Sequence, residues 1–233
     1  MSSLSQLVKF DRAEWIHEGK WLRAGLVHTR VTSKVRIGSA WLCADAQQQR
    51  TFPWEAVQRT TRPANATIDS VEIVALVHWP VSRPEATPEL LLEIGYRPAI
   101  SSFIIEFPAG LIDYPHESPA DAAVRELAEE TGYVGRVTMT RDIVFQYNPA
   151  LVDEAGVAVH MSINGDDAQN QESERASRKN LGEDEFIDII RVPLVGLRAR
   201  LERYQKEFGL QVDGRVYSLA LGLEMMHDIK QLL

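Results

Sequence analysis

The chain has 233 residues, of which 45 % are hydrophobic and 25 % charged, and its formal charge is −8. That length holds one large domain or a domain with a small partner, and the apolar content is enough for a packed core, which excludes disorder throughout. The negative balance argues against nucleic acid as a partner, because a phosphate backbone calls for net positive surface; an anionic ligand must be held by local arginines and by metal.

Residues 1–20 are polar and mixed and read as a short helix or an arm, with Trp15 and Ile16 available to pack. The opening MSSLSQLVKF lacks the apolar run of a secretory signal. No stretch approaches the roughly 18 apolar residues of a membrane span, so the chain reads as soluble, cytosolic or nuclear, with no membrane partner. Lys20 to Cys43 alternates apolar and polar residues and predicts two strands of a small antiparallel sheet. Cys43 is the only cysteine, so no intrachain disulfide forms, which fits a reducing compartment. Nothing in the sequence marks it as a nucleophile, and a small buried residue is the expected reading. Thr51–Thr61 reads as a third strand. The polar stretch 65–69, just after Pro63, is a boundary. Residues 1–64 thus read as a small N-terminal β unit and 65–233 as the main domain.

Val71–His78 is a continuous apolar run, the mark of a strand buried on both faces. A loop with three prolines spans Pro80–Pro88, and strands are expected at Glu89–Arg97 and Phe103–Phe107. A helix follows at 119–131, then strands at Val137–Phe145 and Gly156–Ile163. The polar stretch Asp166–Asn180 reads as a mobile loop. Glu185–Val192 is a strand, and Leu194–Phe208 and Val216–Leu232 read as two amphipathic helices. Strands with helices interspersed on both sides predict an α/β (α+β) fold, a three-layer α/β/α sandwich around a mixed sheet.

The helix at 119–131 is well signalled. Ser118 suits the N-cap, Pro119 the first helical position, Asp121 the positive end, and Gly132 a left-handed stop. Ala120, Val124, Leu127, Ala128 and Thr131 make a small or apolar stripe expected to face the core, with Ala122, Glu126, Glu129 and Glu130 opposite. Glu126 and Glu130 are four apart, so they share a face and repel by about 0.2–0.5 kcal/mol. Lying at the negative end of the helix dipole costs each about 0.3–1 kcal/mol more. A hard divalent cation with oxygen ligands relieves this, and Mg²⁺ is the first expectation. A charge run can equally be no more than a solvated face.

From Glu117 onward the stretch reads Glu117, seven residues, Arg125-Glu126-Leu127, Ala128, Glu129-Glu130, Thr131, Gly132, Tyr133. It resembles the Nudix box, G-x5-E-x7-R-E-U-x-E-E-x-G-U with U bulky and apolar. Six residues, not five, separate Gly110 from Glu117, and the extra one lies in the loop before the helix. The likeness extends beyond the box. Glu18–Trp21, Trp54–Arg62, Tyr96–Pro98, Glu106–Asp113, Ile163–Ala168, Asp184–Phe186 and Asp213–Ser218 are similar to stretches of the ADP-ribose pyrophosphatases (ADP-sugar diphosphatases) of the Nudix superfamily, the eukaryotic type in particular. Ala150 and Val152 stand where that branch has a glycine and a serine, and residues 81–90 are idiosyncratic.

The resemblance implies a Nudix fold and a Mg²⁺-dependent hydrolase, with Mn²⁺ as a substitute, that splits ADP-ribose into AMP and ribose 5-phosphate. It implies that Glu126 and Glu130 bind metal with the carbonyl of Ala109, and that Glu129 joins or supports them. It places a general base at Glu185, with Glu183 as substitute should the loop register shift; either can be a plain solvated glutamate. It places Trp21 and Trp54 on the adenine, from different subunits of a domain-swapped homodimer; two core tryptophans are the plainer reading. It gives Glu55 the base edge, sets Leu111 at the substrate, and sets Arg59 and Arg97 on the diphosphate, where guanidinium forks suit phosphate oxygens. Surface ion pairs are the ordinary alternative for both arginines. Arg125 reads as a clamp on the glutamates. Two rivals remain: hydrolysis of another nucleoside diphosphate derivative, such as a different ADP-sugar or an oxidised deoxynucleoside diphosphate, and a sensor that binds ADP-ribose without cutting it. No H-E-x-x-H, G-x-S-x-G, P-loop or dinucleotide fingerprint is present.

Overall fold

The computed structural model describes residues 8–31, 35–37, 40–42, 51–63, 66–114, 116–182 and 185–232. Cys43, Glu183 and Asp184 lie outside them. The chain divides into two compact units, residues 1–69 with 145–155, and residues 70–144 with 156–233.

The first unit is built on strands β1 (Val8–Glu18), β2 (Leu22–Val31) and β5 (Thr51–Arg59), all antiparallel in the order β1-β2-β5. A short hairpin, β3 (Val35–Ile37) and β4 (Ala40–Leu42), lies between β2 and β5 in the chain. The expected helix or arm at the start is therefore a strand. It escaped the alternation test because its side chains are nearly all exposed or half-exposed, so no buried face writes a period of two into the sequence. β5 tolerates Pro53 because it is an edge strand. Residues 145–155 run beside it. Val57 N donates to Leu151 O at 2.8 Å, and Asp153 N to Val57 O at 3.2 Å. Asp69, buried, takes both forks of Arg62 at 2.7 and 2.6 Å and also the Ala155 N–H at 2.9 Å.

The second unit is a mixed sheet with helices on both faces. Its strands are β6 (Ser70–His78), β7 (Glu89–Arg97), β8 (Ser102–Glu106), β9 (Ala109–Leu111), β10 (Arg136–Thr140), β12 (Ala155–Asn164), β13 (Ile187–Pro193) and β14 (Gln211–Val212). The two-residue β11 (Phe145–Gln146) belongs to the first unit. The order is β10-β12-β6-β7-β8-β14, with β9 beside β6 and β13 beside β7. β6 is central. It pairs parallel with β12 along its length and antiparallel with β9 and β7, which explains its unbroken apolar run. The strand expected at Val137–Phe145 stops at Thr140, where the polar pair Arg141-Asp142 ends the ladder.

Leu90, Leu92, Ile105, Phe107 and Val192 form one side of the sheet's core. They pack on Leu197 and Leu201 of α3 (Leu197–Phe208) and Val216 and Ala220 of α4 (Gly214–Leu232). The opposite face carries α1 (Pro119–Thr131), which packs on β6, β9 and β10. The expected mobile loop at 166–180 holds a helical turn, Ala168–Asn170, and a helix, α2 (Glu172–Arg178). It is pinned rather than loose: Arg175 stacks on Tyr133 at 4.5 Å, Arg178 donates to Gly132 O, and Asn180 N donates to Glu129 O at 2.8 Å. No helix among the described residues is long and apolar enough to cross a membrane.

Candidate active site

α1 carries the acidic residues, and local chemistry fixes both its ends. Ser118 Oγ accepts from Asp121 N at 3.2 Å, Pro119 opens the helix, and Gly132 closes it at φ 72° with its N–H on Ala128 O at 2.9 Å. Any side chain at Gly132 would meet Arg175 O at 2.3 Å. The buried residues are Ala122, Ala123, Leu127, Glu130 and Thr131, while Val124 is exposed. This corrects the expected stripe. The inward line is Ala123, Leu127 and Glu130, so one of the acids is turned into the protein and Val124 lies on the rim.

Arg125 is the organiser. Its Nε donates to Glu117 Oε1 at 2.8 Å, and one terminal nitrogen reaches Glu117 Oε2 at 3.0 Å and Leu111 O at 2.9 Å. The other reaches Glu126 Oε1 at 2.7 Å and Glu129 Oε2 at 3.2 Å. Its hydrogen bond to Glu117 raises its own pKa and holds the Glu117 carboxyl below the usual range. Thus the arginine ties helix, loop and strand together and has no nitrogen to spare.

Glu126 lies over β9 at Gly110. A Cβ on Gly110 would stand 1.9 Å from its Cδ, so only glycine fits there. Burial pushes Glu126 up to about 6, with Arg125 pulling the other way. Glu130, 8 % exposed, accepts from Ala109 N at 3.2 Å. Ala109 is in β9, opposite Glu72 of β6. Leu111 ends β9, half-buried, with its carbonyl on Arg125. Glu129 is the most open of the three helix acids.

Among the described residues, four buried acids lie outside the box: Asp69 of the first unit, already paired with Arg62, and Glu72, Glu93 and Glu106 of the second. Glu93 of β7 is directly across from Glu106 of β8, and its carboxyl meets that of Glu130. Burial raises both Glu93 and Glu130, and each other's charge adds to it for Glu130. Burial also pushes Glu72 up to about 7, against the pull of Arg215, whose terminal nitrogen is 2.9 Å away. Glu93 was missed in the sequence. The available signal was one carboxylate interrupting Leu90-Leu91-Leu92-Glu93-Ile94, a run whose neighbours are buried.

Arg97 ends β7 with its Nε on Glu106 at 2.8 Å, its side chain still more than half exposed. Glu185 is exposed on the loop before β13; Ile187, two residues on, pairs with Gly95, so Glu185 sits near the Arg97 end of β7. Its Oε2 accepts from Gly182 N at 2.8 Å.

The remaining expected residues belong to the first unit. Trp21 is 52 % and Trp54 59 % exposed, so neither is a core tryptophan. Trp54 Nε1 donates to Ala150 O at 2.8 Å. Leu22 pairs with Arg59 and Val27 with Trp54, so Trp21 stands about six residues from Trp54 along the ladder, roughly 20 Å. Glu55, exposed, follows Trp54 in β5. Arg59 is paired with Glu154 at 2.8 Å.

Among the described residues, no three carboxylates, imidazoles or thiolates converge as they stand on a point that could hold an ion. Glu126 is turned to Arg125, and Glu130 to Glu93 and the Ala109 N–H. The donor chemistry nevertheless fits a hard divalent cation: oxygen ligands only, buried, and mutually repelling beside a glycine that leaves the backbone open.

A mixed sheet between helical layers, with an acidic helix following an Ala-Gly-Leu strand, defines the Nudix class of fold. Residues 86–206 match the family described as NUDIX domain, and the chain belongs to the Nudix family of hydrolases. Members of this family generally use a divalent metal. An uncharacterized Nudix hydrolase of Schizosaccharomyces pombe is 36 % identical over 73 % of this chain and 77 % of its own. The ADP-sugar pyrophosphatase of Mus musculus is 33 % identical over 91 % of this chain and 85 % of its own, and the ADP-ribose pyrophosphatase of Saccharomyces cerevisiae 30 % over 74 % and 70 %. A crystal structure of an ADP compounds hydrolase superposes with a TM-score of 0.57, covering 99 % of this chain and 98 % of that one at 18 % identity, a likeness of fold.

Proposed function

We propose that this chain hydrolyses the diphosphate of ADP-ribose, giving AMP and ribose 5-phosphate, with Mg²⁺ as its ion and Mn²⁺ as a substitute. The observation that carries this reading is the placement of Glu126 and Glu130 against Ala109–Gly110, acids whose crowding and burial call for a hard cation. The names of the mouse and yeast relatives supply the substrate class.

Glu126, Glu130 and the Ala109 carbonyl would hold the ion, with Glu129 beside them. When bound, it neutralises the diphosphate and polarises a phosphorus. Arg125 holds Glu126 and Glu129 in place and takes no part in proton transfer. Glu185 accepts the proton of the attacking water; oxygen adds to one phosphorus and the bridging oxygen leaves with the other phosphate. Arg97 contacts the diphosphate once it yields part of its hold on Glu106, and Arg59 does so on leaving Glu154. Leu111 lines the substrate. Trp21 and Trp54 stack on adenine and Glu55 accepts from its edge. In this reading the two indoles on one base come from two copies of the chain, which form a homodimer.

The deciding assay is AMP release from ADP-ribose with Mg²⁺. Glu126→Gln lowers turnover by about 100-fold, the loss of roughly 3 kcal/mol of charge stabilisation. A wild type that binds ADP-ribose yet forms no AMP makes the protein a sensor instead.

A further inference from the structure

The box acids leave one buried carboxyl unaccounted for. Glu93, in the middle of β7, is 2 % exposed. Its Oε1 receives no hydrogen bond from any N–H or hydroxyl among the described residues. What its carboxyl meets is another carboxyl, that of Glu130 on α1. The nearby cations are engaged elsewhere: Arg97 Nε holds Glu106 at 2.8 Å, and Lys179 Nζ holds Ile187 O at 2.7 Å. A purely structural position on this strand would take an apolar side chain, as Leu91 and Leu92 do with full burial. An acid placed there without a contacting cation is costly when ionised unless something positive joins it, a proton in the metal-free protein or a cation. Two buried carboxyls facing each other offer hard oxygens to one divalent ion.

We propose that Glu93 is a metal ligand, holding with Glu130 a divalent cation of the Mg²⁺ or Mn²⁺ type, so that the sheet grips the ion as well as the helix. The inference rests on the reading of Glu126 and Glu130 as metal-holding residues. It extends the donor set to a strand outside the box, where no sequence pattern for the helix would find it.

The test is Mn²⁺ titration of the full-length protein, following free Mn²⁺ by electron paramagnetic resonance at fixed pH, with thermal unfolding in parallel. Wild type takes up Mn²⁺, and Glu130→Gln loses that uptake. Glu93→Gln weakens it by about tenfold or more. Glu93→Leu weakens it likewise, while its metal-free melting temperature stays at or above that of wild type, because the unpaired acid is gone; this variant carries the test if the amide does not fold. Folded Glu93 variants that bind Mn²⁺ as tightly as wild type overturn the proposal and leave the Glu126/Glu130 reading standing. Uptake that Glu130→Gln does not change overturns both.

Discussion

Glu185 differs from the helix acids in owing nothing to burial. It stands exposed on a loop, with its carboxylate on a backbone N–H three residues back. That place suits the proposed role of proton acceptor outside the metal-holding carboxylates. Glu185→Gln should therefore lower kcat by about 10²- to 10⁴-fold with KM near that of wild type; steady-state rates decide it, and an unchanged kcat moves the base elsewhere. The spacing of Arg125, Glu126, Glu129 and Glu130 was legible because a helix has a fixed period. Which of them faces inward was not, since Val124 and Glu130 compete for that side and the sheet beneath settles the matter. Turned inward, Glu130 takes the Ala109 N–H and meets Glu93, contacts between positions far apart in the chain.

Secondary structure was readable where burial is one-sided or complete. β6 announces itself by an unbroken apolar run, and α1 by its caps. β1 and α2 leave no such trace: the first is largely solvated, and the second is held by arginine contacts to Gly132 and Tyr133 rather than by an apolar face. The face shared by β6, β7, β8 and α1 carries a consequence for pH. Glu72 is pushed up to about 7 and Glu126 to about 6, and Glu93, Glu106 and Glu130 are raised too. Each binds a proton in the folded protein that the unfolded chain has already released above about pH 4.5. Their contribution is thus fully present below that pH and is lost as pH rises through 6 to 7 and beyond. Without divalent metal, urea unfolding should show a stability lower at pH 8 than at pH 5, on the order of 2–3 kcal/mol from Glu72 alone. A flat profile over that range would show that these acids ionise freely. Saturating Mg²⁺ at pH 8 should recover part of the loss.

The proposed homodimer makes a prediction about mass. Light scattering on a sizing column should give about twice the chain mass of 26.2 kDa. A monomer that still turns over ADP-ribose with normal KM would separate adenine stacking from dimerisation. The polar break near Asp69 is visible in the sequence; the return of residues 145–155 to the first unit is not, because their tie to β5, backbone hydrogen bonds together with the Arg59–Glu154 and Trp54–Ala150 contacts, joins positions far apart in the chain. The helix at 172–178 has a further bearing. Arg178 and Asn180 satisfy carbonyls of Gly132 and Glu129 that the end of α1 leaves open. A stretch that passes for filler is thus the buttress of the acidic turn, and deletions or grafted tags there will be felt at the chemistry, though no atom of it need ever touch substrate.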